Sequence, residues 1–204
     1  MFPNLDKDHI LENDNVLLRP LRTSDHEFLL PFSINEPDIW KFSLLTAAGS
    51  DNLRQYIQTA IDGRSQQKEY GFIVYDKLQK CYAGSTRFYD INPGYQTVQL
   101  GYTWYGNAFQ GTGVNKNCKY LLLQFAFEEW KMERVEFRAD NNNHRSIAAM
   151  KSIGCKVDGI LRNNMPKREG GRRDSIVLSI LKSEWEGEVK ERLGTRLKTA
   201  LSNS

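Results

Sequence analysis

The chain has 204 residues, 40% hydrophobic and 26% charged, with a net charge of +3. This length and balance fit one globular domain with a core of its own, and they exclude a disordered chain or a molecule that binds polyanions over its whole surface. No apolar run is long enough to span a bilayer, and the start Met1-Phe2-Pro3-Asn4-Leu5-Asp6 lacks a charged-then-apolar leader, so the expected location is the cytoplasm.

Taken in chain order, Val16 to Leu21 reads as a first strand. Ser24-Asp25-His26-Glu27 has capping-box spacing and opens a helix through Phe28, Leu29, Leu30 and Phe32. A second helix starts near Ser50 or Asp51, with Leu53, Tyr56, Ile57, Ala60 and Ile61 on one face. Three strands follow, Gly71 to Tyr75, Cys81 to Asp90 and Gln96 to Tyr105. The turns Asp76-Lys77 and Asn92-Pro93-Gly94 separate them, so they should be antiparallel neighbours. A long helix after Gly113 carries Cys118, Leu121, Leu122, Phe125 and Ala126 at helical spacing. Glu133 to Ala139 alternates as a strand, with Val135, Phe137 and Ala139 on one side. Asn143 is the expected N-cap of a short helix closed by Gly154. A final hairpin spans about Lys156 to Arg162 and Asp174 to Leu181. Ser183-Glu184-Trp185-Glu186 is read as a second capping box, opening a helix with Trp185, Val189, Leu193 and Leu197 in one stripe.

The expected fold class is therefore α/β: one domain over residues 1–182 with a mixed, mostly antiparallel sheet flanked by helices, then a C-terminal helix and tail over 183–204. The three cysteines, Cys81, Cys118 and Cys155, are widely spaced without metal-ligand pairing; they read as buried free thiols, and no metal is expected. Arg162, Lys167, Arg168, Arg172 and Arg173 make one basic stretch. Without interleaved aromatics it reads as a solvated loop and not as a nucleic-acid surface.

Gln110-Gly111-Thr112-Gly113-Val114-Asn115 enters the long helix. Glycines allow close approach of the backbone, and the first amides of a helix have no internal partners and sit at the positive end of its dipole, an arrangement suited to phosphate. A P-loop would end Gly-Lys-Ser/Thr, but this segment ends Gly113-Val114-Asn115. A dinucleotide fingerprint would place glycine at 116, which is Lys, and would put its glycines at the strand's end, whereas Gly106 to Gln110 intervene.

These residues resemble the acetyl-CoA loop of the GCN5-related N-acetyltransferase (GNAT) superfamily, specifically its branch of ribosomal-protein alanine acetyltransferases (RimJ/RimL type). That motif reads Gln/Arg-x-x-Gly-x-Gly/Ala, and Asn115 is its one departure. Leu100-Gly101-Tyr102-Thr103-Trp104, Glu133 to Phe137, Asp140 to Ser146, Ile153-Gly154-Cys155 and Asp158 to Arg162 are similar to further segments of that branch, in the same order. The resemblance implies a curved sheet whose central strands splay apart, with the pantetheine arm of acetyl-CoA in the splay. Tyr102, Thr103 and Trp104 would pair with the arm, Gln110, Gly111, Thr112, Gly113, Val114 and Asn115 would hold the pyrophosphate, and Asn143 would contact the arm. Ser146 matches the serine that protonates the departing sulfur. Chain order places the acceptor over Trp40, Phe42, Arg87 and Tyr89.

Transfer of acetyl to an amine requires a deprotonated amine, a stabilised oxyanion and a protonated leaving thiolate, with no covalent enzyme intermediate. The residues leave the general base open between Glu136, His144 and a water chain. Asn143 and Ser146 also read as plain helix-start residues. The implied function is acetylation of a primary amine such as a protein N-terminus. The alternatives are a small amine (an aminoglycoside or a polyamine) and a non-catalytic acyl-CoA-binding module. Monomer and homodimer are both compatible with the apolar stripe after Leu181, and no membrane partner is expected.

Overall fold

The structure is a computed structural model and describes residues 3–168 and 170–202. Its strands are β1 (Leu11–Glu12), β2 (Val16–Pro20), β3 (Tyr70–Asp76), β4 (Cys81–Asn92), β5 (Thr97–Tyr105), β6 (Arg134–Asp140), β7 (Lys156–Pro166) and β8 (Arg172–Leu181). The helices are α1 (His26–Asn35), α2 (Ser50–Ser65), α3 (Val114–Gln124), α4 (His144–Ser152), α5 (Lys182–Glu184) and α6 (Lys190–Ser202), with a π-turn from Trp185 to Val189 joining the last two. The strands form one sheet in the order β1-β2-β3-β4-β5-β6-β8-β7, in which only β5 and β6 run parallel. This is the mixed, mostly antiparallel sheet expected from the hairpin turns.

Helices cover both faces. Leu53, Tyr56, Ile57 and Ala60 of α2 pack with Leu29 of α1 against Ile73 and Trp104 of the sheet. On the opposite face Cys118, Leu122 and Leu123 of α3 meet Leu18, Phe72, Phe88 and Val98. Trp185, Val189 and Leu193 of the C-terminal segment belong to this second core. Trp185 is fully buried beside Phe127 and Tyr120, and its Nε1 donates to Glu128 at 3.1 Å. Three residues of the apolar stripe after Leu181 are thus buried within the chain, and Leu197 is half-buried.

Local corrections have clear causes. The serine of neither expected capping box caps its helix. Asp25, not Glu27, reaches back, accepting from Arg22 N at 2.8 Å, because it is buried in an ion pair with Arg19 at 2.6 Å. At the C-terminal segment Glu184 accepts from Leu181 N at 3.0 Å, which moves the helix start ahead of Ser183. Cys81 is exposed at the edge of the β3–β4 turn, whereas Cys118 and Cys155 are buried as expected. Of the basic stretch, Arg162, Lys167, Arg168 and Arg172 are exposed as expected, but β7 and β8 extend into it, Arg173 is buried, and Arg168 donates to Trp40 O at 3.0 Å.

Two features of the central strands shape the site. Ladder pairing between β5 and β6 covers only Thr97 to Gln99 against Arg134 to Glu136, and beyond that the strands part. Within β5, Ser85 faces Trp104 while Arg87 faces Gly101, so β5 spends an extra residue opposite β4. That bulge puts Tyr102 at φ +48°, a left-handed conformation that a bulky residue adopts only under tertiary constraint. Tyr56 of α2 supplies part of it, its hydroxyl donating to Tyr102 O at 3.0 Å.

Candidate active site

The gap between β5 and β6 opens into a cavity of about 400 Å³. Ten of the residues singled out from the sequence line it. Tyr102, Thr103 and Trp104 come from β5, Gln110, Gly111 and Asn115 from the glycine loop and the start of α3, Asn143 and Ser146 from the start of α4, and Phe42 and Tyr89 from the opposite side. The remaining five lie elsewhere. Thr112 turns its hydroxyl to Phe109 O at 2.8 Å, Gly113 is the N-cap residue of α3, and Val114 is buried in the core. Trp40 is fully buried and packs edge-on against Trp104 at 5.0 Å. Arg87 is buried in an ion pair with Glu69 at 2.6 Å and stacks on Tyr56 and Tyr102. Chain order alone suggested these two for the acceptor; the fold uses them to support β5.

The glycine loop has the geometry of an anion cradle. Gly111 and Gly113 have φ of +81° and +95°, values open to glycine at little cost. A Cβ on Gly111 would meet nothing within 4 Å, and one on Gly113 only Asn117 Nδ2 at 3.9 Å, so the space beside the loop is open. Asn117 N closes the first turn onto Gly113 O, which leaves the amides of Val114, Asn115 and Lys116 without a residue four positions back in the helix. The Asn115 side-chain oxygen is buried with no partner among the described residues and belongs to a residue lining the cavity. This position departs from the expected small residue, and it adds an acceptor where a ligand amide can be met.

Orphaned polar atoms mark the whole gap. Buried side-chain atoms without a partner among the described residues belong to Trp40, Arg87, Gln99, Trp104, Tyr105, Asn115, Trp130 and Asn164. Four of these eight, namely Gln99, Trp104, Asn115 and Asn164, line this one cavity; Tyr105 lines it too, but its hydroxyl meets the Cys118 thiol. Folded proteins pair nearly all their buried polar groups, so such a concentration points to a polar ligand that completes them. The residues present fit the elongated, amide-bearing diphosphate that the sequence resemblance implies.

On α4, Asn143 accepts from Ser146 N at 3.1 Å and is a true N-cap. The cap engages the amide of Ser146 and does not use its hydroxyl, and Ser146 lines the cavity. Glu136 is held by Arg134 at 3.0 Å and Arg138 at 2.7 Å, and it does not line the cavity, which removes it as a free base. His144 is exposed outside the cavity. The carboxylates that do line it are Asp90 and Asp140, neither of which was singled out as a base.

Lys119 was also missed. It lies on the buried side of α3, with Nζ donating to Thr103 Oγ1 at 2.8 Å and sitting 5.7 Å from the Phe137 ring centre. It therefore bridges the parted strands from beneath. Burial pushes its pKa down to about 8. A lysine next to Cys118 and three residues before Leu122 breaks the apolar stripe of α3, and that was the available signal. Arg145 was missed as well; it lines the cavity and holds the Gln110 side chain by a short hydrogen bond, tying α4 to the glycine loop.

Residues 15–156 match the family described as acetyltransferase (GNAT) domain. The "Putative ribosomal N-acetyltransferase YdaF" of Bacillus subtilis (strain 168) is 29% identical over 179 residues, covering 86% of this chain and 96% of that protein. The crystal structure of a GCN5-related N-acetyltransferase from Brucella melitensis superposes with a TM-score of 0.84 at 23% identity, over 93% of this chain and 85% of that one. The Microcin C7 self immunity acetyltransferase MccE, solved in complex with acetyl-CoA and AMP, superposes with a TM-score of 0.73 at 21% identity, over 83% of this chain and 93% of that one.

Proposed function

The chain belongs to the GNAT acetyltransferases, enzymes that use acetyl-CoA, and within that family we propose that it acetylates a primary amine, specifically the α-amine of a protein N-terminus. The observation that carries this reading is the parting of β5 from β6, which makes one cavity lined by the glycine loop and also by residues of the opposite face. The similarity to a protein named as a ribosomal N-acetyltransferase supports a protein acceptor.

Acetyl-CoA supplies the activated acyl group as a thioester. Amides at the start of α3 would hold its pyrophosphate, with Gly111 and Gly113 leaving room, and the free backbone edge of β5 near Thr103 would pair with the arm. Ser146 would give a proton or a hydrogen bond to the departing sulfur. Asp90 and Asp140, the carboxylates that line the cavity, supply negative charge that draws an ammonium into it. The amine must lose its proton there before it attacks.

The test is thiol release from acetyl-CoA by purified protein, with a panel of N-terminal peptides and small amines and mass spectrometry of the products. Acetylated peptide α-amines are the expected result. Turnover confined to aminoglycosides or polyamines would refute the protein-acceptor reading. No thiol release above background with any amine in the panel would leave only acyl-CoA binding.

A further inference from the structure

Only two arginines among the described residues are buried, Arg87 and Arg173. Arg87 is neutralised by Glu69 at 2.6 Å. Arg173, 8% exposed at the start of β8, has no such partner: its Nε donates to Ser175 Oγ at 3.1 Å and its Nη1 to Phe42 O at 3.4 Å, and no carboxylate among the described residues forms an ion pair with it. A guanidinium does not shed its proton to relieve burial, so a buried one is ordinarily ion-paired. Desolvation here does weaken its hold on the proton, with Asp140 the largest compensating charge. The Nη2 donors have no protein acceptor among the described residues, and Arg173 lines the cavity.

The surroundings fix which part of the site this is. Arg173 donates to Phe42 O, and Phe42, Tyr89 and Tyr102 line the same cavity, Tyr102 packing against the core that α1 and α2 cover. Arg138, the other guanidinium there, is taken by Glu136. Asn164 precedes Met165, the register partner of Arg173, and its side-chain oxygen is buried, unpartnered and on a residue lining the cavity. The unused Nη2 donors of Arg173 therefore share one cavity with an unused acceptor, Asn164 Oδ1, and with the carboxylate of Asp140. That combination matches one molecule bearing an amine and a nearby anion.

Resting on the acetyltransferase reading above, we propose that Arg173 is a specificity-determining residue of the acceptor side, and that the preferred acceptor carries a carboxylate close to the amine that is acetylated. An N-terminus with an acidic first or second residue meets that description. The carboxylate would take the Nη2 edge of Arg173, leaving the amine to Asn164 and the cavity carboxylates. Arg173 then acts on acceptor affinity and not on the cofactor.

The test pairs peptides that differ only as Asp/Asn or Glu/Gln at positions one and two, for wild type, Arg173→Gln and Arg173→Lys. Wild type is expected to favour the acidic member by about tenfold or more in kcat/KM, chiefly through KM, because truncating a buried charge partner carries at least that discrimination. Arg173→Gln should bring the ratio to about one, with Arg173→Lys between. A wild type that prefers the neutral member, or a ratio unchanged in Arg173→Gln, overturns the proposal. Calorimetry of wild-type protein saturated with CoA against the N-acetylated Asp and Asn peptides gives a readout that needs neither turnover nor a folded variant. Equal affinities there also overturn it. Absence of thiol release with every amine, alongside tighter binding of the acidic product, would instead sink the catalytic reading and keep the anion site.

Discussion

Substitution of Gly113 tests the cofactor assignment with a built-in control. The residue sits at φ +95° as N-cap of α3, and an added Cβ meets nothing closer than 3.9 Å, so side chains fit and the cost is conformational. A left-handed conformation costs an ordinary L-residue about 1–2 kcal/mol, less for Asn and Asp. Gly113→Asn and Gly113→Asp are nearly isosteric and carry the same backbone cost; they differ by one negative charge at the helix N-terminus. On stability alone Asp should equal or exceed Asn, because the helix dipole favours it. Against a bound pyrophosphate the order reverses. A charge pair about 4 Å apart interacts by about 1 kcal/mol in water and about 4 kcal/mol near a protein surface. An intermediate value of about 2 kcal/mol weakens CoA by about 30-fold in Asp relative to Asn. Calorimetric titration with CoA, alongside thermal melts of both variants, reads the two effects separately. Equal CoA affinity for Asn and Asp would refute placement of the pyrophosphate at this helix start.

Ser146→Ala should lower kcat by about 10- to 100-fold while leaving CoA affinity within about twofold, since the cap bond uses its amide and not its hydroxyl; equal turnover would return the serine to a structural role. For Lys119, burial lowers the folded pKa from 10.5 to about 8, so the unfolded chain holds the extra proton between those values and stability rises with pH across that window. The penalty, about 3 kcal/mol, is fully present below pH 8 and lifts towards pH 10.5. Lys119→Met leaves Thr86 and Thr103 bonded to each other at 2.7 Å and should therefore be more stable than wild type at pH 7, by about 2 kcal/mol. Urea unfolding at pH 7, 8 and 9 should show that advantage shrinking, and a pH-independent gap would refute the buried ammonium. Trp185→Ala should cost about 3–5 kcal/mol by urea unfolding, because the ring is fully buried and its Nε1 holds Glu128; a loss under 1 kcal/mol would separate the C-terminal helix from the core.

Periodicity made most of the scaffold legible. The alternation of Val135, Phe137 and Ala139 placed β6 correctly, and Asn143 to Gly154 reported both ends of α4, because these signals are local. The capping boxes misled for a local reason too: spacing says which carboxylates can reach back, not which one does. Asp25 wins over Glu27 because Arg19, brought beside it by β2, fixes its carboxylate in a buried pair. The Tyr102 bulge has no sequence signal of its own. It depends on the register with β4 and on Tyr56, 46 residues away. Arg173 resembled its solvated neighbours because composition averages over a stretch, whereas burial is decided by Phe42 and the cavity wall. The glycine loop was legible because its requirement, open space and free amides, is written into residue type.

The distribution of unmet polar groups argues for a site beyond what the fold needs. Each buried donor or acceptor left unpaired costs about 1–3 kcal/mol, and a buried unpaired cation more. A fold under no other demand would lose these groups to apolar side chains of similar size. Here Gln99, Trp104, Asn115 and Asn164 come from β5, α3 and β7, elements far apart in sequence, yet they line one gap. The gap exists because β5 and β6 stop pairing after Gln99 and Glu136, forfeiting ladder hydrogen bonds as well. Two separate losses at one place are accounted for together if a ligand completes both: an extended arm pairs with the free edge of β5, and its polar groups, with those of the acceptor, meet the orphaned side chains. The parted strands and the unpartnered polar groups are then one feature, a fold held short of its own best stability where it receives its substrates.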